Sequence, residues 1–468
     1  MKMKQRMKDV VVVGFAMFAI FFGSGNLIFP PYIGLQSGVQ IFPAIIGLAL
    51  SGILFPMLAV ASVGNVGNTL EDMMKHVTPW WHRLFMALGI LIVCFGTVPR
   101  CGGVAFEAGF EGIFGKIPVA GRVAFLFVFF AVAYYFAMNK SNVIDKIGNY
   151  LTPVLLITLL IVIALAIVNP VDSIHGGVMR SPGESFINAF KTGYNTGDIG
   201  TGILVAGIFI ETFRQKGYRD KVETRRMMFG IIATGFILLF IIYAGLAYLG
   251  AQGTSIYRLD VDTTFLLTSL VKRLAGYGGL VVLSLAVIFA TLTTAIGMIA
   301  TVGEWIEDWS RGKLPYTKAA LMLTVIMFLV SSSGVANVLI ISGPLFTLLF
   351  PMCVVMTFLG LFRKFVPNDG AWKGAVIVSF VMAFFDALNV AKASGLIRMN
   401  LDVMNRFLGM IPFASSGFAW LIPSVAGFVI GAVIYKILGK ESLPYAADEK
   451  AGECATSAEY RDDTSVEF

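Results

Sequence analysis

Two glycine-rich interruptions carry the polar groups of this chain that are best placed to do chemistry. The first is FFGSGNLIFPP, residues 21–31, in the middle of a strongly apolar stretch. Gly23 and Gly25 lack a β-carbon, so a small solute can approach the main chain, and the backbone there reaches angles that other residues resist. Ser24 and Asn26 add polar side chains. Pro30 and Pro31 fall in the first turn of the resumed helix, where a missing N–H costs least. Inside a membrane, a break that leaves N–H and C=O groups unpaired is tolerated only where they line a cavity or bind something. The resumed half-helix aims its positive N-terminal end at the gap, which suits a carboxylate. A glycine-packed helix contact with a proline kink is the competing reading.

The second interruption is KTGYNTGDIGTGILVAG, residues 191–207, where Gly193, Gly197, Gly200 and Gly202 surround Asn195, Thr196 and Asp198. Together the breaks give a candidate substrate set of Gly23, Ser24, Gly25 and Asn26 with Tyr194, Asn195, Thr196, Gly197 and Asp198. Asp198 has three open roles: neutralising a substrate ammonium, carrying a coupling proton, or capping the resumed half-helix. Arg100 and Glu107 lie seven residues apart, hence two helical turns and roughly one face. They read as a mutual ion pair or as a gate in an outer vestibule. Glu211 and Glu304 read as interfacial.

The elements that position these residues follow from composition. Of 468 residues, 57% are hydrophobic and 13% charged, against about 25% charged in soluble domains. The pattern is that of an all-α polytopic membrane protein, since barrel strands would be shorter and alternating. Apolar windows lie near 9–36, 40–64, 83–112, 121–138, 147–168, 188–213, 224–250, 277–304, 317–333, 335–362, 372–388 and 416–438, which predicts about 12 transmembrane helices. The basic start MKMKQRMKD imitates a secretory leader, but the apolar run continues without a small-residue cleavage site and reads as an uncleaved first span.

Spans one and six, the two with breaks, open two five-span sets. A five-span repeat reverses membrane orientation, so the second set is inverted relative to the first, with binding expected at the midplane between broken helices. The expected units are residues 1–168 for the first repeat, 169–362 for the second with its entry loop, 363–440 for two extra C-terminal helices, and 441–468 for a disordered cytoplasmic tail. The lysine and arginine excess, densest in RQKGYRDKVETRR at 214–226, places both termini in the cytoplasm.

Other function classes find little support. There is no G-x-x-x-x-G-K-[ST] loop and no H-E-x-x-H, and His76, His82 and His175 fall in loops. The net charge of +7 resides in short loops and implies no nucleic acid. Cys94, Cys101, Cys353 and Cys454 form neither a disulfide framework nor a metal-ligand spacing. No enzyme activity and no cofactor are expected.

The segment GFAMFAIFFGSGNLIFPPYIG, the break GYNTGDIGTG and the twelve-span length resemble the bacterial branched-chain amino acid:cation symporter family, the system II carriers for leucine, isoleucine and valine. More distantly, the G-x-G-N before a proline resembles sodium-coupled amino-acid transporters of the five-plus-five inverted-repeat superfamily. The resemblance implies a secondary active importer of these amino acids in the bacterial cytoplasmic (inner) membrane. Its partners would be the amino acid and the lipid bilayer, with Na+ or H+ as coupling ion; partner proteins are not indicated. Within AVIFATLTTAIGMIA, residues 286–300, the A-T-L-T-T-A-I segment resembles an eighth-span sodium motif. That likeness implies a site built from Thr293, Thr294 and the carbonyl of Ala290, with carbonyls of Ala19 and Phe22 on the first span. Oxygen ligands suit a hard cation. The competing reading has these threonines bonding their own helix one turn back. A proton-coupled carrier of the same substrates, a permease for another small solute, an ion channel and, most weakly, an intramembrane enzyme remain the alternatives.

Overall fold

The computed structural model describes residues 3–448 except 68, 140–141, 217 and 219–220. Among the described residues the chain is helical, and its one β feature is an isolated bridge between Gly38 and Gly176. The first apolar window is two helices, α1 (Met3–Phe21) and α2 (Ser24–Ser37), bent by 75° at the glycines; because α2 resumes at Ser24, Pro30 and Pro31 lie in its interior and not in its first turn as expected. Then come α3 (Ile41–Val66), α4 (Trp81–Phe114), α5 (Val119–Asn139) and α6 (Asn142–Val168). The sixth window is also divided, into α7 (Pro182–Tyr194) and α8 (Asp198–Gln215). The remaining long helices are α9 (Lys221–Ala251), α10 (Thr263–Trp309), α11 (Tyr316–Ser331), α12 (Val335–Leu361), α13 (Asp369–Ala393) and α14 (Leu421–Ile437).

Among the described residues seven helices are continuous, long and apolar enough to cross a membrane, and the bent α1–α2 pair qualifies when counted as one span. Large apolar side chains such as Phe127, Val429 and Ile430 lie on the outside of the bundle, as hydrocarbon surroundings require.

Local chemistry sets the element ends. Ser181 accepts a hydrogen bond from the Glu184 amide at the start of α7, with Pro182 in the first turn. Asp262 does the same for α10 by accepting from the amides of Thr264 and Phe265. That cap opens α10 well before the apolar window at 277–304. Gly276, at φ 65°, kinks the helix where the window begins. Close approaches of helices run through small residues. Gly370 and Gly374 of α13 face Gly427 and Gly431 of α14, and a β-carbon on Gly427 would lie 2.5 Å from the Gly374 carbonyl oxygen. This is small-xxx-small packing on both partners.

One boundary shifts relative to expectation. The stretch read as a disordered tail from Glu441 is docked through Asp448. Asp369 Oδ2 accepts from the Leu443 amide at 2.9 Å, and the Tyr445 hydroxyl accepts from the Trp372 indole at 3.2 Å. The Tyr445 ring lies 4.5 Å from the ring of His76, and Arg363 pairs with Asp448 at 2.8 Å. Burial pushes the Tyr445 hydroxyl pKa up. The physical reason is a buried polar pair, His76 Nδ1 with Asp369 Oδ1 at 2.8 Å, whose remaining acceptor capacity the segment satisfies. Residues 449–468, with Cys454, lie outside the described residues, as do residues 217 and 219–220 of the basic 214–226 loop. The other three cysteines are buried and free.

Candidate functional site

Both breaks are real interruptions of helical geometry, and side chains join them. Gly23 precedes α2 in an extended conformation and offers no side-chain cap, so the first amides of α2 are left without one. In the second break Gly197 adopts φ 77°, which favours glycine and ends the run between Tyr194 and α8. Asn26, the third residue of α2, is buried. Its amide nitrogen donates to the Phe21 carbonyl at 2.8 Å, across its own break, and to Asp198 Oδ2 at 2.8 Å, in the other break. It also contacts the hydroxyl of Tyr243 on α9, which donates to Asp198 Oδ2 at 3.4 Å. Asp198 therefore reaches across to the first break and to α9. The cap-like contact at the start of α8 is instead the Asp198 amide donating to Thr196 Oγ1, at 3.5 Å.

Arg100 closes the other side of this cluster. Only 2% exposed, it donates from Nε to Ser24 Oγ at 3.3 Å, from Nη1 to the Asn195 carbonyl at 2.6 Å and from Nη2 to the Thr196 carbonyl at 3.4 Å. Its guanidinium carbon sits 5.4 Å from the Phe29 ring centre and 5.5 Å from that of Phe346. Tyr194 turns away from the cluster and stacks on Phe350, with ring centres 3.7 Å apart. Ser24, Asn26, Thr196 and Asp198 thus gather in one buried polar knot, while Asn195 contributes its carbonyl and Gly23, Gly25 and Gly197 the backbone shape.

The expected pairing of Arg100 with Glu107 does not occur. Glu107 accepts from the Val335 amide at 3.0 Å and from the Thr264 hydroxyl at 2.9 Å, so it caps α12 and ties it to α10. The reason lies in α4, which contains π-helical turns at Val93–Thr97 and Ala105–Phe110. The second of these begins between the two residues and contains Glu107 itself, and its wider turn breaks the regular phase that would stack positions seven apart.

The residues implied as a sodium site are separated from this knot in kind. Thr293 and Thr294 are half-buried, and their hydroxyls both donate to the Ala290 carbonyl of their own helix, at 2.9 and 3.1 Å. Thr291 likewise bonds Val287 at 2.8 Å. α10 packs on α2, α4, α5, α6 and α11, and α1, which carries Ala19, is not among its main neighbours. Each hydroxyl oxygen retains lone pairs that can face a cation. Among the described residues no cluster of histidine, cysteine, aspartate and glutamate forms a metal centre.

From the sequence Arg100 reads as a partner of Glu107 or as an outer gate, and Tyr243, Phe29 and Phe346 are not singled out. Tyr243 carried a usable signal, a hydroxyl deep in an apolar span that requires a partner. The aromatic pair around Arg100 had none, because phenylalanine is common along the whole chain.

A family model described as branched-chain amino acid transport protein matches residues 6–438. The chain is 28% identical to the branched-chain amino acid permease BrnQ of Bacillus subtilis, covering 91% of this chain and 96% of that protein. It is 30% identical to the branched-chain amino acid transport system 2 carrier protein of Pseudomonas aeruginosa, covering 92% and 97%. Among solved structures, its fold is similar to that of Mhp1, a nucleobase-cation-symport-1 family transporter in a closed conformation, with TM-score 0.59 at 12% identity over 93% of this chain and 95% of that one. It is also similar to MhsT in complex with L-phenylalanine, with TM-score 0.53 at 17% identity over 89% and 97%. A buried polar knot between two broken helices, in a multi-pass helical bundle that matches this family over nearly its whole length, leads to one conclusion: the chain belongs to the branched-chain amino acid transport proteins, a family of membrane permeases and not of enzymes.

Proposed function

We propose that this protein imports leucine, isoleucine and valine across the bacterial cytoplasmic membrane by cation symport, with sodium as the coupling ion. Transport is by alternating access around one midplane site between the breaks. The observation that carries the reading is the bond from Asn26 to Asp198, which makes the two breaks one polar site. In this scheme the chain crosses the membrane twelve times with both termini in the cytoplasm. Helices α1 to α6 and α7 to α12 are the inverted repeats, and α13 and α14 are additions. The uncapped amide end of α2 receives the substrate carboxylate, and Asp198 with break carbonyls receives the ammonium. An apolar side-chain pocket separates branched chains differing by one methylene by only about 1–3 kcal/mol, so all three compete.

Sodium is assigned to Thr293, Thr294 and the carbonyls of Ala290, Ala19 and Phe22, joined when α1 approaches α10. A coupling ion must bind one arrangement of the protein better than the other, and ligands on two separable helices meet that requirement. Proton coupling through Asp198 is the second reading, favoured by the burial of this carboxylate beside Tyr243. Uptake of labelled leucine into proteoliposomes under separately imposed gradients tests the choice. Sodium coupling predicts accumulation with a sodium gradient at equal pH on both sides. Accumulation driven by a proton gradient in sodium-free buffer would transfer the coupling role to Asp198.

A further inference from the structure

The geometry points to Arg100 as the residue that selects for an α-carboxylate, clamping that group between its guanidinium and the first turn of α2. This inference rests on the proposed amino-acid site and names a determinant within it.

Three observations converge. First, Arg100 is a buried cation that forms no ion pair among the described residues; all its hydrogen bonds go to neutral oxygens, those of Ser24, Asn195 and Thr196. The nearby carboxylate, Asp198, attracts Arg100 through space but makes no direct bond to it, its hydrogen bonds going to Asn26 and Tyr243. Burying a charge whose direct hydrogen bonds all end on neutral oxygens is costly unless an anion in contact with it completes the site. Second, the guanidinium lies against the start of α2. A β-carbon on Gly25 would be 3.0 Å from both Cζ and Nη2 of Arg100. That helix end carries its own positive partial charge and no side-chain cap. Two like-signed groups held this close call for an anion between them. Third, donor capacity remains. Of the five guanidinium N–H groups, the described contacts use three, which leaves one on each terminal nitrogen. Two donors suit the two oxygens of a carboxylate.

The rings of Phe29 and Phe346 each pack against the guanidinium carbon and help to hold it in place. Gly25 has a purpose in this scheme, since any side chain there would displace the cation from the helix end. The bonds to Asn195 and Thr196 mean that an anion bound at Arg100 also bears on the shape of the second break. Carboxylate binding would then be felt at both interruptions.

The test is competition against labelled leucine binding in the purified full-length protein, comparing leucine with leucinol, which keeps the ammonium and side chain but replaces the carboxylate with an alcohol. Wild type is expected to prefer leucine by about 100-fold or more. Arg100→Gln should weaken leucine by about 30-fold or more while changing leucinol by less than about threefold, and Arg100→Lys should fall between. A merely structural arginine would weaken both ligands together and leave the ratio unchanged, which would overturn the assignment. Unaltered leucine affinity in a folded Arg100→Gln protein would do the same. Repeating the titration with gluconate in place of chloride separates the two anions: binding that needs chloride, with an unchanged leucine-to-leucinol ratio in the variants, would give the arginine to a halide and refute the carboxylate clamp. Wild type that fails to bind leucine at all would instead remove the proposed transport function on which the clamp depends.

Discussion

The two candidate polar sites differ in where their hydrogen bonds end. In the knot at the breaks, Asn26 bonds a residue 172 positions away and contacts another 217 away, and Arg100 reaches both breaks from α4. Along α10, the hydroxyl bonds of Thr291, Thr293 and Thr294 end three or four residues back on the same helix. A membrane helix satisfies a lone threonine locally at little cost, so such a residue gives no sign of whether it does anything else. A buried asparagine, aspartate, tyrosine and arginine that meet from four separate elements must each be desolvated to do so, and the fold has to be built around them. The first region bears the marks of a binding site in its geometry. The second bears them only in its sequence pattern.

That contrast can be broken most sharply at Asp198. Its replacement by asparagine removes the charge on which Asn26 and Tyr243 converge, and leucine uptake should fall by about 100-fold or more, in line with the loss of one member of a buried charged network. Uptake within a factor of three of wild type, in vesicles holding equal amounts of protein, would show the knot to be structural. Tyr243→Phe is the smaller change. It deletes one hydroxyl bonded to a carboxylate, worth about 1.5–3 kcal/mol, and should raise the half-saturating leucine concentration by about 10-fold or more without abolishing transport. At the α10 site Thr294→Ala should raise the sodium concentration for half-maximal uptake several-fold, with leucine recognition at saturating sodium little altered. Thr294→Ser keeps the hydroxyl and should shift it least. If neither threonine variant alters sodium dependence, the local bonds to Ala290 are the whole of their role and the contrast between the regions is complete.

The breaks were legible because their chemistry is local. Glycine, asparagine and proline inside an apolar run announce interrupted backbone by themselves, and GSGN and YNTGD did so here. Helix positions were legible for the same reason, through hydrophobic runs long enough to span a bilayer. What was hidden depends on register or on distant partners. Arg100 and Glu107 were assigned to each other by regular helical spacing, and the π-helical turn at Ala105–Phe110 sends Glu107 to α12 and α10 instead. The early start of α10 was hidden because the segment from Thr263 to Gly276 is less apolar than a span, although its Asp262 cap is a readable signal. Docking of Tyr445 depends on Trp372, His76 and Arg363, residues far away in the chain whose meeting no local pattern encodes.

If the two breaks form one amino-acid site, Asn26 is the side chain that joins them. Equilibrium binding of labelled leucine to purified wild type and Asn26→Ala, with thermal unfolding of both recorded in parallel, tests it most directly. Saturable binding is expected in wild type, displaced by isoleucine and valine but not by the decarboxylated analogue isoamylamine, with a dissociation constant raised about tenfold or more, at least about 1.4 kcal/mol, in a variant that still unfolds cooperatively. An unchanged dissociation constant in a folded Asn26→Ala protein, or equal displacement by leucine and isoamylamine in wild type, would contradict it.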